Sequence, residues 1–397
     1  MKIGLLPRLL IGIGLGIVSG LFLPQWWIEL FATFNGLFGN FLNFVIPLII
    51  LGFIAPGIGE LGKGAGKLVS LTASVAYGST IMAGLLAFFA GSMILPKMLG
   101  ASGSGESFEN PEEFLLEGFF KVDMPPVMSV MTALILAFIL GLGLASIQGN
   151  TLQKAFEDFR GIIERVIQVV IIPLLPVHIF GIFANMTHGG QVATIMSTFI
   201  KVFAMIIVLH LVMLLLQYTT ASALSGKNIL GSLRNMVPAY FTALGTQSSA
   251  STIPVTLKQT KKNKVGDKIA EFVVPLCANI HLSGSTITIV SAAMAVMTLN
   301  GMDLSFANIF PFILALGLTM IAAPGVPGGA VMAALGLLQS MLGFNEAMLS
   351  LMIALYLAQD SFGTATNVTG DGAISIIVDK LMGKKVNEVN VDEKQSA

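Results

Sequence analysis

Asp360, Thr364, Asn367 and Asp371 stand four, three and four residues apart in AQDSFGTATNVTGDG, between the apolar stretches IALYLA and AISIIV. On a helix that spacing places all four on one face. Two carboxylates, a hydroxyl and an amide in a row at apolar depth are costly unless they bind something, so the set reads as a ligand-binding face rather than the wet side of a surface helix. Three more clusters interrupt apolar runs in the same half of the chain. Gln247-Ser248-Ser249-Ala250-Ser251-Thr252, just before Pro254, offers hydroxyls and free amides of the kind that hold a carboxylate at a helix N-terminus; a serine-rich packing surface is the plain alternative. Asn279-Ile280-His281-Leu282-Ser283-Gly284-Ser285-Thr286 suits an unwound segment whose carbonyls coordinate a cation. His281 in it titrates near neutrality and could carry a proton, or simply bond a neighbouring helix. Pro324-Gly325-Val326-Pro327-Gly328-Gly329 is too glycine-rich for helix, exposes backbone polar groups and hinges easily, as a gate requires.

Other polar positions carry less. Gly12, Gly14 and Gly16 imitate a nucleotide fingerprint but sit inside an apolar run with no preceding strand, so they read as helix packing. His178, His188 and His210 are isolated and read as structural or interfacial, and Lys201 as a snorkelling side chain or one met by a local carboxylate.

The elements that carry these clusters must live in lipid. Of 397 residues, 55% are hydrophobic and 11% charged, about half the ~25% charge of a soluble domain. Acidic and basic residues balance at 21 each, so no net field favours nucleic acid. One cysteine, Cys277, excludes an internal disulfide framework. Apolar runs fall at 5–24, 37–58, 68–95, 124–146, 161–184 and 192–217, each near the ~20 residues a bilayer requires. The first begins like a signal peptide but continues for a spanning length with no cleavage site ahead of a soluble domain, so it reads as a retained helix. Segments 228–258 and 305–342 read as re-entrant hairpins, each followed by a spanning helix with a polar middle, 265–299 and 343–381.

Charges fix the sidedness. Lys2, Arg8, Lys63, Lys67, Lys154, Arg160, Lys227, Arg234, the lysines between 258 and 268, and Lys380, Lys384 and Lys385 fall on one side. The acidic stretch from Glu106 to Glu117, Asp303 and Glu346 fall on the other. The positive-inside rule then puts both termini in the cytoplasm of an inner-membrane protein. The fold class is an all-α polytopic membrane protein: eight transmembrane helices plus two oppositely oriented re-entrant hairpins, an inverted repeat of the kind that builds midplane sites. An outer loop over 103–117 and a disordered cytoplasmic tail over 386–397 complete the expectation.

The succession QSSASTIPVT, a broken helix with Gly284, GVPGG, then DSFGTATNVTGD resembles the dicarboxylate/amino acid:cation symporter family, the glutamate-transporter fold, over essentially the whole chain. The resemblance implies an elevator-type transporter assembled as a homotrimer in the lipid bilayer, with an amino acid substrate, sodium ions as coupling ions and no other cofactor. It implies a scaffold over 1–65 and, after the outer loop, through 101–190, and a transport domain over 66–100 and 191–385. By motif position Ser248, Ser249, Val326, Gly329, Asp360, Gly363, Thr364 and Asn367 resemble substrate contacts, with Asp360 facing the amino group. Asp371 resembles a sodium-ligating carboxylate, joined by carbonyls of Asn279 or His281 and of Asn367.

Two departures bear on function. The family's Asn-Met-Asp-Gly-Thr reads His281-Leu282-Ser283-Gly284-Ser285, so a sodium-site aspartate is replaced by Ser283, which implies fewer sodium ions or protons as the coupling ions. Gly363 stands where acidic-substrate members carry an arginine, and Gln247 where some members carry another. A second substrate carboxylate would then lack its bidentate partner. Serine, threonine or alanine is the favoured substrate, and the AQDS run resembles serine/threonine members; aspartate, glutamate or a C4-dicarboxylate stays open if protonated His281 substitutes for the arginine. An intramembrane enzyme is disfavoured because HExxH, GxSxG and a convincing serine–histidine pairing are absent from the sequence. A channel is disfavoured because two opposed tips suit alternating access.

Overall fold

The computed structural model describes residues 5–63, 67–98, 115–190, 192–323 and 327–395. Among them there is helix and no strand. The six early apolar runs become α1 (Leu5–Phe22), α2 (Gln25–Lys63), α3 (Lys67–Met98), α4 (Val130–Ser146), α5 (Thr151–Val166) with α6 (Ile172–His188), and α7 (Val192–Ser225). A π-helical turn, Ile167–Ile171, joins α5 to α6 as one span. α4 starts at Val130 rather than 124 because Pro125 and Pro126 cannot sit in a helix interior and Ser129 accepts a hydrogen bond from the Thr132 amide as its cap. α2 starts at Gln25, well ahead of 37, and its first turn carries the exposed pair Trp26 and Trp27, the residue type that favours a membrane interface.

The four interrupted segments become helix pairs and one long helix. α8 (Ile229–Thr246) and α9 (Ser249–Lys262) form the first hairpin, and α12 (Phe306–Ile321) and α13 (Gly329–Leu342) the second. Helices of 14 to 18 residues reach only about 21–27 Å at ~1.5 Å per residue, short of the ~30 Å hydrocarbon layer. Each hairpin therefore turns back inside the layer. α10 (Asp267–Ile280) and α11 (Ser283–Leu299) are one span broken at its middle, and α14 (Glu346–Gln395) is continuous. By length and composition five helical stretches can cross a membrane, namely Gln25–Gly59, Lys67–Met98, Thr151–His188, Ile195–Ser225 and Asp267–Leu299; α1 and α4 are apolar but shorter. α14 runs from Glu346 to Gln395.

The two hairpins reach α14 from opposite ends. At the base of the first, Asp379 accepts from the Gly266 amide (3.1 Å) and pairs with Lys227 (3.9 Å). The second runs through Gly343 and Asn345 directly into the first turn of α14, which Asn345 caps at the Met348 amide (3.0 Å). Their tips meet at Asp360 and Ser361, roughly 21 Å along the helix from Glu346 and roughly 28 Å from Asp379 at ~1.5 Å per residue. That is the inverted arrangement read from the charges.

Packing divides into two groups. α2 packs on α4, α5 and α6, and α1 on α6; α11 packs on α3 and α14, and α14 on α7, α8, α9 and α10. α13 touches both groups. Gly12, Gly16 and Gly20 let α1 lie against α6: a Cβ on Gly12 would stand 2.7 Å from the Pro176 carbonyl oxygen, and one on Gly16 2.5 Å from that of Phe180. Gly14, read with them as packing, faces open space. α11 is buried along its whole length, while side chains such as Phe22, Ile139, Val169 and Ile200 stay exposed on the outer helices as a belt for lipid. Among the described residues Lys201 meets no carboxylate; its Nζ donates to the Met98 carbonyl (3.0 Å) at the end of α3, where the orphan carbonyls of a helix terminus attract a cation.

Candidate functional site

The polar face of α14 is buried: Asp360, Thr364, Asn367 and Asp371 are each 5% exposed or less. Each is held by a different neighbour. Asp360 Oδ2 accepts from the Gly328 amide at 2.7 Å, so the second hairpin tip is closed onto it, and Oδ1 faces the Thr364 hydroxyl at 3.5 Å. Gly328 has φ +75°, the left-handed conformation that glycine adopts without strain, and this aims its N–H at the carboxylate. Gly329 follows as the first residue of α13, and Val326 lies outside the described residues.

The first hairpin tip reaches the adjacent residue. Gln247, in the left-handed region at φ 54°, donates from Nε2 to Ser361 Oγ (2.8 Å). Ser248 caps α9 by accepting from the Ser251 amide (3.3 Å), and Ser249 is buried beside it. Both hairpins therefore reach consecutive residues of α14, about 21 Å along the helix from Glu346.

Further along, the broken span supplies the partners. The backbone leaves helix at His281 (φ −116°, ψ 96°) and Leu282 (φ −120°, ψ 48°), so α11 starts with unpaired amides. Asn367 Oδ1 satisfies two of them, from Gly284 (2.7 Å) and Ser285 (3.3 Å), while its Nδ2 donates to Ser285 Oγ (3.0 Å). Tyr356 donates to the same hydroxyl (3.1 Å). The helices touch so closely that a Cβ on Gly284 would overlap the Gly363 carbonyl oxygen and stand 2.7 Å from Thr366 Cβ. A Cβ on Gly363 itself would meet only ordinary contact, 3.5 Å from the Ser285 amide.

Asp371 Oδ1 lies 2.8 Å from His281 Nδ1, with both side chains at most 1% exposed. His281 Nε2 is 3.0 Å from Ser79 Oγ on α3, and Gln217 on α7 donates to Ser79 Oγ (2.9 Å) and Ser283 Oγ (3.1 Å). Asp371, His281 and Ser79 thus stand in the order of an acyl-transfer triad, a serine–histidine pairing that the sequence had hidden. Its hydroxyl already accepts from Gln217 and is enclosed, so it offers no nucleophile to a substrate. The Asn279 side chain is exposed and donates to Pro275 O (3.1 Å) within α10. Among the described residues no three histidine, cysteine or acidic side chains gather to hold a metal ion.

The two hairpins, the break in α10–α11 and the buried face of α14 come together around Asp360, Asn367 and Asp371. A model of the sodium:dicarboxylate symporter family matches residues 5–381. The chain belongs to that family. It is similar to excitatory amino acid transporter 3 of Mus musculus, 34% identical over 40% of this chain and 30% of that protein. It is also similar to excitatory amino acid transporter 1 of Ambystoma tigrinum, 30% identical over 59% of this chain and 43% of that protein, and of Rattus norvegicus, 29% identical over 62% and 45%. The matched parts thus span less than half the length of these relatives. The sodium:dicarboxylate symporter family is one of membrane transporters and not of enzymes.

Several members of the buried network escaped sequence reasoning. Ser79 and Gln217 sit in otherwise apolar runs, and His210, read as isolated, places Nε2 3.0 Å from the Gly284 carbonyl. The usable signal was a lone polar side chain inside a spanning run, which must find a buried partner.

Proposed function

We propose that this chain is a secondary-active symporter that imports a small neutral amino acid, such as serine, threonine or alanine, with cations. The observation that carries the substrate class is the charge content of the site. Asp360 and Asp371 are the buried carboxylates and His281 the partner of the second, while no lysine or arginine is buried among the described residues. An α-ammonium on Asp360 would replace the Gly328 amide there, which requires the second hairpin tip to lift and reclose, the behaviour of a gate. The α-carboxylate would face the hydroxyls of Ser248 and Ser249 and the positive N-terminal end of α9. Thr364 and Asn367 would complete the substrate contacts, with Val326 and Gly329 above them.

The two packing groups support an elevator. α1, α2, α4, α5 and α6 would form the scaffold, over 1–65 and 101–190, and the rest would slide as the transport domain, over 66–100 and 191–385. A homotrimer in the inner membrane with cytoplasmic termini suits this division. Ser283, in place of an aspartate, supports coupling by fewer sodium ions, by protons, or by both.

The names of the relatives and the family's description favour a second reading, an acidic amino acid or a dicarboxylate. Against it, no lysine or arginine is buried among the described residues to meet a second carboxylate, and His281 Nδ1 already faces Asp371 Oδ1 at 2.8 Å. Thermal melts of the purified protein against a panel of amino acids and dicarboxylates test the choice, because a ligand that binds only the folded state raises Tm. Stabilisation by serine, threonine or alanine is expected; stabilisation by aspartate or succinate alone would overturn the neutral reading.

A further inference from the structure

We propose that His281 is a built-in partner of Asp371 that takes the place of a metal cation, so that no sodium binds at this carboxylate. The proposal deepens the symport reading and rests on it for its meaning in transport.

The resemblance to the family points to Asp371 as a sodium ligand, and the surroundings of Asp371 do not suit one. A hard monovalent cation needs several oxygen atoms turned towards it. Here Oδ1 of Asp371 faces a ring nitrogen at 2.8 Å, and the ring is wholly enclosed. Ser79 Oγ, 3.0 Å from His281 Nε2, and Ser283 Oγ both accept from the Gln217 amide nitrogen, at 2.9 and 3.1 Å. Gln217 Nε2 is itself 3.3 Å from His281 Nε2. The imidazole and the Gln217 amide thus occupy the space in which a metal ion would need lone pairs.

The ring is also seated by shape. A Cβ on Gly370, the residue before Asp371, would stand 2.8 Å from His281 Cε1 and 2.7 Å from Gln217 Oε1. Glycine at that position is what lets α14 approach both side chains. The backbone break fixes the ring from the other direction, because the His281 amide still donates to the Cys277 carbonyl (2.9 Å) while its ψ of 96° turns the chain out of helix. The other buried carboxylate, Asp360, lies roughly 16 Å further up α14 at ~1.5 Å per residue, too far to share the imidazole. A buried carboxylate at membrane depth needs a fixed partner, and this chain carries its own.

The test uses sodium itself as the probe. The full-length protein is melted in sodium chloride and in choline chloride, without substrate, as wild type, His281→Asn and His281→Asn/Ser283→Asp. The variants open the carboxylate to oxygen ligands, and a sodium-specific rise of about 2 °C is expected in at least the double variant at about ten times its Kd, above any rise in the wild type. Equal sodium responses in wild type and both variants would overturn the proposal. Should the variants not fold, crystals of the wild type soaked in thallium(I), which scatters anomalously in place of sodium, decide alone. An empty Asp371 supports the proposal and a thallium peak on its oxygens refutes it. Neither arm needs a substrate, so a failed amino acid panel would sink the proposed function without touching these results.

Discussion

Gly284 and Gly363 face each other where α11 meets α14, yet they answer oppositely to one added methyl. A Cβ on Gly284 would run into the Gly363 carbonyl and stand 2.7 Å from Thr366 Cβ, both on an α14 backbone that cannot yield alone. Overpacking of a tight core costs about 1–3 kcal/mol. Moving α11 away would also stretch the two amide bonds to Asn367, at 2.7 and 3.3 Å, worth about 1 kcal/mol each. Alanine returns up to about 1 kcal/mol of helix propensity. Gly284→Ala is therefore destabilised by about 2–4 kcal/mol. Gly363→Ala, whose Cβ finds ordinary contact at 3.5 Å, should change stability by no more than about 1 kcal/mol, and in the stabilising direction. Denaturant or thermal unfolding of the two variants in one detergent separates them. Equal losses, or a silent Gly284→Ala, would refute the close approach of the two helices at the site.

Other changes follow from the same contacts. Asp360→Asn keeps an acceptor for the Gly328 amide but loses the charge, so the fold should hold while substrate affinity, read by calorimetry, falls about tenfold to a hundredfold. Gln247→Gly relieves a left-handed non-glycine residue and removes the tie to Ser361, so melting temperature should hardly move while substrate affinity drops. His178→Leu strands Asn35 and Ser350, which the ring bridges at 3.1 and 2.8 Å; a loss of about 1–3 kcal/mol in unfolding is expected, with substrate affinity unchanged.

Much of this arrangement was legible in the residues. The spacing of Asp360, Thr364, Asn367 and Asp371 gave the buried face because apolar flanks left no other way for a helix to carry it. Proline, glycine and serine clusters gave the hairpin tips and the break after Ile280, and the lysine distribution gave their opposed directions. What stayed hidden was which side chains meet across helices. Nothing in a single run says that Ser79, His281 and Asp371, far apart in sequence, share a chain of hydrogen bonds, or that Gln217 stands between two serines.

Uptake into proteoliposomes tests the central claim most directly. With sodium, choline and a pH gradient imposed in turn, the protein should accumulate labelled serine, threonine or alanine above the outside concentration, and Asp360→Asn should abolish the accumulation. Accumulation of aspartate or a C4-dicarboxylate with none of the neutral amino acids, or flux that only ever runs downhill, would contradict it.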